Sequence, residues 1–321
     1  MTPSPETSAA QSLEKDAYQA FDRGDLQEAS RLFGKLVEQE PTTAHFHYML
    51  GLSHKYQLDW QESLHHNLRS QQLDEEFDES SAWNAGIAAT ALGDWAEARR
   101  QWTQCGIGIP EGEGPIEGDF GLVSIRLNPW AEGETVFARR IDVVRARLLN
   151  VPLPESGHRL FDIVLHDGAK TGERRIEGGV VPVFNGLARL APSDYRTYVA
   201  FVRCDSPADI EDLRNATLPG IGYTEDWTGS ISHYCLRCSY GTPHRHDDEA
   251  TESLDWESER NLGIGSQSKA AVSRLLKEWV SRGPGRHLDG IESPDHEPPK
   301  VEHGFTWWRG PDEDAADELD A

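Results

Sequence analysis

Polar and apolar positions in the first third of the chain alternate with a helical period. Ala17, Tyr18, Phe21, Leu32, Phe33 and Leu36 recur three and four apart, the spacing that gathers side chains on one helix face. Gly24-Asp25 interrupts this pattern as a turn, and Pro41 ends it. A second helix pair follows, with Tyr48, Leu50, Gly51 and Leu52, then Trp60 and Leu64. A third carries Trp83, Gly86, Ile87 and Leu92, then Trp95, Ala98 and Trp102, and closes at Pro110.

From Asp119 the period shortens to that of strands. Strands are predicted over Leu122–Leu127, Thr135–Ala138, Val143–Asn150, Phe161–His166, Val180–Phe184, Tyr195–Cys204 and Ser230–Leu236, punctuated by Gly, Pro and Asn. Two helices interrupt them. Ser206-Pro207 pairs an N-cap with Pro at the first helical position and opens a helix to about Ala216. Between Ser268 and Arg282, Val272, Leu275, Leu276, Trp279 and Val280 form one apolar face, and Gly283-Pro284 stops the helix. The expected class is α+β: an all-α N-terminal superhelix, then a β-rich α+β domain. The expected boundaries are a disordered start at 1–12, helical repeats at 13–110, a Gly- and acid-rich linker at 111–118, the β-rich domain at 119–310 and an acidic disordered tail at 311–321.

The helical third repeats itself. Gly24-Asp25-Leu26-Gln27-Glu28-Ala29, Leu58-Asp59-Trp60-Gln61-Glu62-Ser63 and Gly93-Asp94-Trp95-Ala96-Glu97-Ala98 lie 34 and 35 positions apart. That period marks stacked helix pairs, which present a concave surface to a partner. With small residues at Ala17, Gly51 and Gly86 and at Ala29, Ser63 and Ala98, bulky ones at Phe33 and Trp102, and Pro41 and Pro110 after the pairs, the stretch resembles the tetratricopeptide repeat. Asn67 and Glu75 depart from the pattern and make the middle repeat degenerate. The resemblance implies a superhelix whose concave face is lined by His45, Tyr48, Leu52, Lys55 and Tyr56, then Ser80, Trp83, Ile87 and Thr90. Of these, Tyr48, Leu52, Tyr56, Trp83 and Ile87 are the partner contacts it implies. Glu14 and Tyr18 stand where carboxylate-clamping repeats carry two of their clamp residues, which argues against that activity. The stretch 123–168 and the Cys235–His246 cluster resemble an uncharacterised bacterial domain that accompanies such repeats.

Charge changes the picture. The chain has 31 Lys and Arg against 55 Asp and Glu, a formal net of -24. The first 114 residues carry 8 basic and 19 acidic groups and the remainder 23 and 36, so both halves are acidic. Phosphate recognition needs cations, so nucleic acid and anionic membranes are disfavoured as partners and a basic protein is favoured. Two acidic runs flank aromatic anchors: Asp74, Glu75, Glu76, Asp78 and Glu79 around Phe77, and Asp247, Asp248 and Glu249 ahead of Trp256. Solvated loops would have the same composition. No stretch approaches the ~18 apolar residues of a membrane helix, and the first residues lack the basic and apolar regions of a secretory signal. With four cysteines in 321 residues, a reducing cytoplasm is expected.

The one cluster with metal-ligand chemistry is Cys235, Cys238, His244 and His246. Two thiols three apart followed by two imidazoles could hold a structural, four-coordinate zinc; buried cysteines in a metal-free loop are the alternative. His166-Asp167 matches the His-Asp pair of metal-dependent phosphohydrolases but lacks their further His and Asp partners; the arginines at 139, 140, 145, 147, 174 and 175 could bind an anion, with pairing to nearby carboxylates as the plainer reading. No Gly-x-Ser-x-Gly, His-Glu-x-x-His or P-loop occurs. The expectation is therefore a non-enzymatic cytoplasmic binding protein, most narrowly an immunity protein that blocks a basic toxin, such as a nuclease, in interbacterial competition. An adaptor or chaperone for a secreted effector and an enzyme built on the β-rich half are the alternatives.

Overall fold

Asp25, Asp59 and Asp94, the shared acid of the three repeat units, each cap a helix: their carboxylates accept the backbone N–H of Glu28, Glu62 and Glu97. Such a cap satisfies a donor that the first helical turn leaves open and stabilises by about 1 kcal/mol. In the computed structural model, which describes residues 5–131, 133–176, 178–231 and 256–301, six helices follow from this punctuation. They are α1 (Pro5–Arg23), α2 (Leu26–Gln39), α3 (Ala44–Tyr56), α4 (Trp60–Leu73), α5 (Glu79–Leu92) and α6 (Trp95–Gln104). Helix α1 begins at Pro5, inside the stretch expected to be a disordered start; Pro is well suited to a helix's first position. Before the cap, Gly24 and Gly93 take a left-handed backbone, and Leu58 takes the same one at φ 61°. The departure at 58 is thus a change of residue at an unchanged turn.

Close helix contact explains the small residues. A Cβ on Gly86 would stand 2.5 Å from the Trp102 ring, so the pair is a ridge seated in a notch. In the degenerate middle repeat Asn67 fills the bulky residue's place, fully buried, its Nδ2 donating to the Ser63 carbonyl at 2.7 Å.

Among the described residues the β-rich half forms two sheets. β1 (Leu122–Leu127), β2 (Glu134–Arg140), β3 (Arg145–Leu148), β4 (Ile163–Ile176) and β5 (Gly179–Ala191) form a closed barrel in that order. Successive strands run antiparallel, so with an odd number the first and last point the same way; β1 and β5 accordingly close the barrel in parallel. Val123, Ile125, Leu127, Val136, Ala138, Leu148 and Val164 fill it. The register of β4 shifts between His166 and Gly172, and this bulge turns Asp167 toward the helices.

The second sheet is antiparallel in the order β7-β8-β6-β9, with β6 (Arg196–Arg203), β7 (Ile221–Asp226), β8 (Glu259–Ser266) and β9 (His287–Glu292). Helices α7 (Pro207–Arg214) and α9 (Lys269–Ser281) bury Ile210, Leu213, Val272, Leu276 and Trp279 against Tyr198, Ala200, Val202, Leu262 and Ile264. A short helix α8 (Trp227–Ile231) lies between β7 and β8 in sequence. The barrel and this sheet meet where Asn150 Nδ2 and the Val151 N–H both donate to the Glu225 carboxylate.

Several expectations need correction. β4 and β5 run well beyond the predicted segments, and β7, β8 and β9 were missed. β8 is mostly buried and interrupted by Gly263 and Gly265, and β7 and β9 are short and partly exposed, so none shows a clear polar–apolar alternation in sequence. The predicted strand at 230–236 begins inside α8 and otherwise lies outside the described residues. The stretch 111–118 is an irregular loop held against the helices. The Arg99 guanidinium donates to the carbonyls of Pro110, Gly114 and Pro115, and Ile116 is fully buried.

Candidate functional site

The chain's own barrel covers part of the expected concave face, while His45 and Ser80 of that face stay exposed. Ile87, Ala89 and Trp102 share one apolar cluster with Ile116, Val143, Val144, Leu165 and Leu187. Tyr56 and Ile87, expected to contact a partner, are buried there, and Tyr48, Leu52 and Trp83 pack partly buried against the same cluster. Gly168 lies over the Trp83 indole, where a Cβ would come within 2.8 Å of the ring. An exposed groove of apolar side chains would cost hydrophobic free energy, and the barrel removes that cost in cis.

A polar network sits inside this junction. Lys55 Nζ donates to Asp167 Oδ1 at 2.8 Å and to Asn84 Oδ1 at 3.1 Å. Tyr56 Oη donates to Asp167 Oδ2 at 3.1 Å, and the Gly168 N–H donates to Oδ1 at 2.7 Å. Burial alone would raise the Asp167 carboxyl, but the Lys55 ammonium and these hydrogen bonds outweigh it and hold the group below the usual carboxylate range. Burial, then the Asp167 charge, pushes the Tyr56 phenol well up. The resemblance had placed Lys55 on the concave face; nothing in the sequence paired it with Asp167. The neighbouring His166 is 1% exposed and stacks on Phe184, with Arg140 over the same ring at 5.9 Å. This is a core arrangement. Arg139 pairs with Asp119, and Arg145 with Asp142 and Glu117, as the plainer reading expected.

The acidic run between α4 and α5 is exposed and only partly used by the fold. Asp78 caps α5, accepting from the backbone N–H of Ser80 and Ser81. Asp74 accepts from the Glu76 N–H, and Glu79 accepts from the Trp83 indole. Glu75 and Glu76 are exposed. Phe77 stands among them with 56% of its surface in solvent. It borders a 290 Å³ depression with Leu68, Gln72, Arg100 and Gln104. Leaving a phenylalanine out of water-excluded contact forgoes roughly 1.5–3 kcal/mol, which makes this corner conspicuous.

The second acidic run differs. Trp256 is partly buried, its indole N–H donates to the Cys204 carbonyl at 3.0 Å, and Arg260 lies 4.6 Å over its ring. It is a packed residue rather than an open anchor. Asp247, Asp248 and Glu249, and the metal candidates Cys235, Cys238, His244 and His246, lie outside the described residues. Among the described residues no group of three or more His, Cys, Asp or Glu could hold a metal ion. The thiols of Cys105 and Cys204 are pushed up to about 11 by burial, so neither is a ready thiolate.

Sequence reasoning missed a histidine cluster on the repeats. His47 Nδ1 and His66 Nδ1 share a hydrogen bond at 3.0 Å, with His47 Nε2 on the Pro41 carbonyl and the His54 ring 6.1 Å from that of His66. Burial, with the charges of His65, His47 and His54, lowers His66 to about 4. Five histidines between His45 and His66 were the available signal.

No protein-family model matches the chain, and no curated protein does. A solved structure that it matches is "TPR2B-domain:pHsp70-complex of yeast Sti1", at 14% identity and a TM-score of 0.28, over 30% of this chain and 76% of that one. Among the described residues no helix is long and apolar enough to cross a membrane.

Proposed function

We propose that this protein is a non-enzymatic, cytoplasmic binding module that docks a basic protein on the acidic corner between α4 and α5. The role it fits best is that of an immunity protein that occludes a basic toxin such as a nuclease. The observation that carries the reading is Phe77, exposed at 56% amid Glu75, Glu76 and the flanking carboxylates. An aromatic anchor ringed by charge is the composition of an interaction hot spot, and the carboxylates would steer a cationic partner. Acidic side chains spaced along a protein surface can also stand in for the phosphates of a nuclease's substrate. A structural zinc at Cys235, Cys238, His244 and His246 belongs to the same proposal and is tested by metal analysis of the purified protein.

The barrel's packing over Tyr56, Trp83 and Ile87 weighs against the adaptor or chaperone reading, because a client segment there would have to displace it. The core placement of His166 weighs against an enzyme centred there. The test begins with capture of the native partner and its purification. Association is then followed by stopped flow at two salt concentrations with Glu75→Lys/Glu76→Lys and with Phe77→Ala. The charge reversal should slow association about tenfold or more at low salt, and Phe77→Ala should speed dissociation. Unchanged kinetics in both variants would sink the proposal.

A further inference from the structure

One end of the barrel holds a segment of the chain itself. After β9 the chain from 293 to 301 has no regular secondary structure. Glu297 and Pro298 each precede a proline, which bars the helical region and favours an extended, polyproline-like path. Such a path has no internal hydrogen bonds, so its carbonyls need outside donors. Here the Trp130 indole N–H donates to the Pro299 carbonyl at 2.9 Å. The Arg189 guanidinium donates to the Glu297 carboxylate. Gly157 allows the backbone to approach so closely that a Cβ there would fall 2.2 Å from the Pro298 nitrogen.

These three contacts come from the barrel's strand β5 and its hydrogen-bonded loops. Trp130 sits in the loop after β1, held by Asn128, whose Nδ2 donates to the Ser156 carbonyl at 2.8 Å and whose Oδ1 lies 3.2 Å from His158 Nε2. Arg189 is on β5 and also donates to the Gly157 carbonyl at 2.7 Å. The strap does not fill its place: a cavity of about 340 Å³ remains beside it, bounded by Leu58, Trp130, Val164, Leu187, Pro298 and Val301. An indole donating to a proline carbonyl, beside an apolar recess, is the chemistry by which aromatic-lined grooves take proline-rich segments.

We propose that this barrel end is a receptor for extended proline-rich segments, occupied in cis by Glu297-Pro298-Pro299-Lys300. A partner chain bearing an acidic residue followed by two prolines, then a bulkier apolar residue for the recess, competes for the same place. The strap is then an autoinhibitory contact, and apparent affinity for the partner scales with the fraction of molecules in which it has lifted. This surface is separate from the acidic corner and does not rest on it.

The test uses the full chain and a fluorescein-labelled peptide Asp-His-Glu-Pro-Pro-Lys-Val, read by anisotropy. Opening the strap with Pro298→Gly/Pro299→Gly should tighten peptide binding about tenfold over wild type. A peptide with both prolines replaced by alanine should bind about tenfold more weakly. Adding Trp130→Phe, which keeps a ring but removes the donor, should weaken the strap-opened form about fivefold. A folded, strap-opened protein that binds neither peptide, or both alike, overturns the proposal. Should that variant fail to fold, the exposed Glu297→Gln substitution takes its place: tighter binding than wild type supports the proposal and unchanged or absent binding overturns it.

Discussion

Lys55 and Asp167 are 112 positions apart in sequence and 2.8 Å apart in space, each about 3% exposed, and they join the second repeat to the bulge of β4. A buried ion pair gains little over an apolar pair of the same shape, but losing one member leaves a charge without compensation. Lys55→Met alone should therefore destabilise by about 3–5 kcal/mol. Lys55→Met/Asp167→Leu should recover much of that loss. Urea unfolding of the three proteins decides it, and a single-variant cost under about 1 kcal/mol would mean that the pair is not confined as described.

The contact of Gly168 with Trp83 makes a second prediction about the same junction. Gly168→Ala pushes a methyl into the indole and should cost about 1–3 kcal/mol. Trp83→Leu should relieve part of it, so the double variant should be less destabilised than the sum of the two singles. Additive losses would show that the two residues do not touch.

Stability should depend on pH with a definite sign. His66, His158 and His166 are each lowered to about 4, chiefly by burial. An unfolded chain takes up these protons near pH 6.5, before the folded one does, so stability falls as pH drops from about 6.5 toward 4. Glu134 works oppositely: burial raises it to about 8, so the unfolded state ionises first and this contribution is lost as pH rises from about 4.5 to 8. Thermal melts across this range should show the histidine-driven rise from acid pH. His66→Gln should flatten the acid limb, and a limb of undiminished slope would rule out His66 as a contributor.

Phe77, Glu75 and Glu76 should be dispensable for folding. Phe77→Ser and Glu75→Lys/Glu76→Lys touch exposed positions and should change unfolding free energy by no more than about 0.5 kcal/mol. A large loss in either would place these side chains in the fold's own packing and remove them as partner contacts.

Much of the helical third was legible because its signals are local. The 34- and 35-residue spacing, the small residues opposite Trp102, and the capping acids Asp25, Asp59 and Asp94 all act within a turn or between adjacent helices. The same holds for the Ser206-Pro207 and Ser268 helix starts, which the structure places within a residue of their predicted positions. The acidic corner with Phe77 was legible for a related reason: a charged run between two helices has nowhere to be but the surface.

Other features were decided only by tertiary structure. The tetratricopeptide resemblance implied that Tyr56 and Ile87 line a partner-facing surface; it could not show that this chain's barrel takes that place. Strand alternation did not reveal that the β-rich half divides into a closed barrel and a second sheet, since pairing depends on which edges meet. Lys55 with Asp167 and Trp130 with Pro299 are joined across 112 and 169 positions. Helix caps and turns are specified by neighbours whose geometry the backbone itself sets. Contacts of such separation depend on how whole elements fit together, and no local pattern encodes that fit.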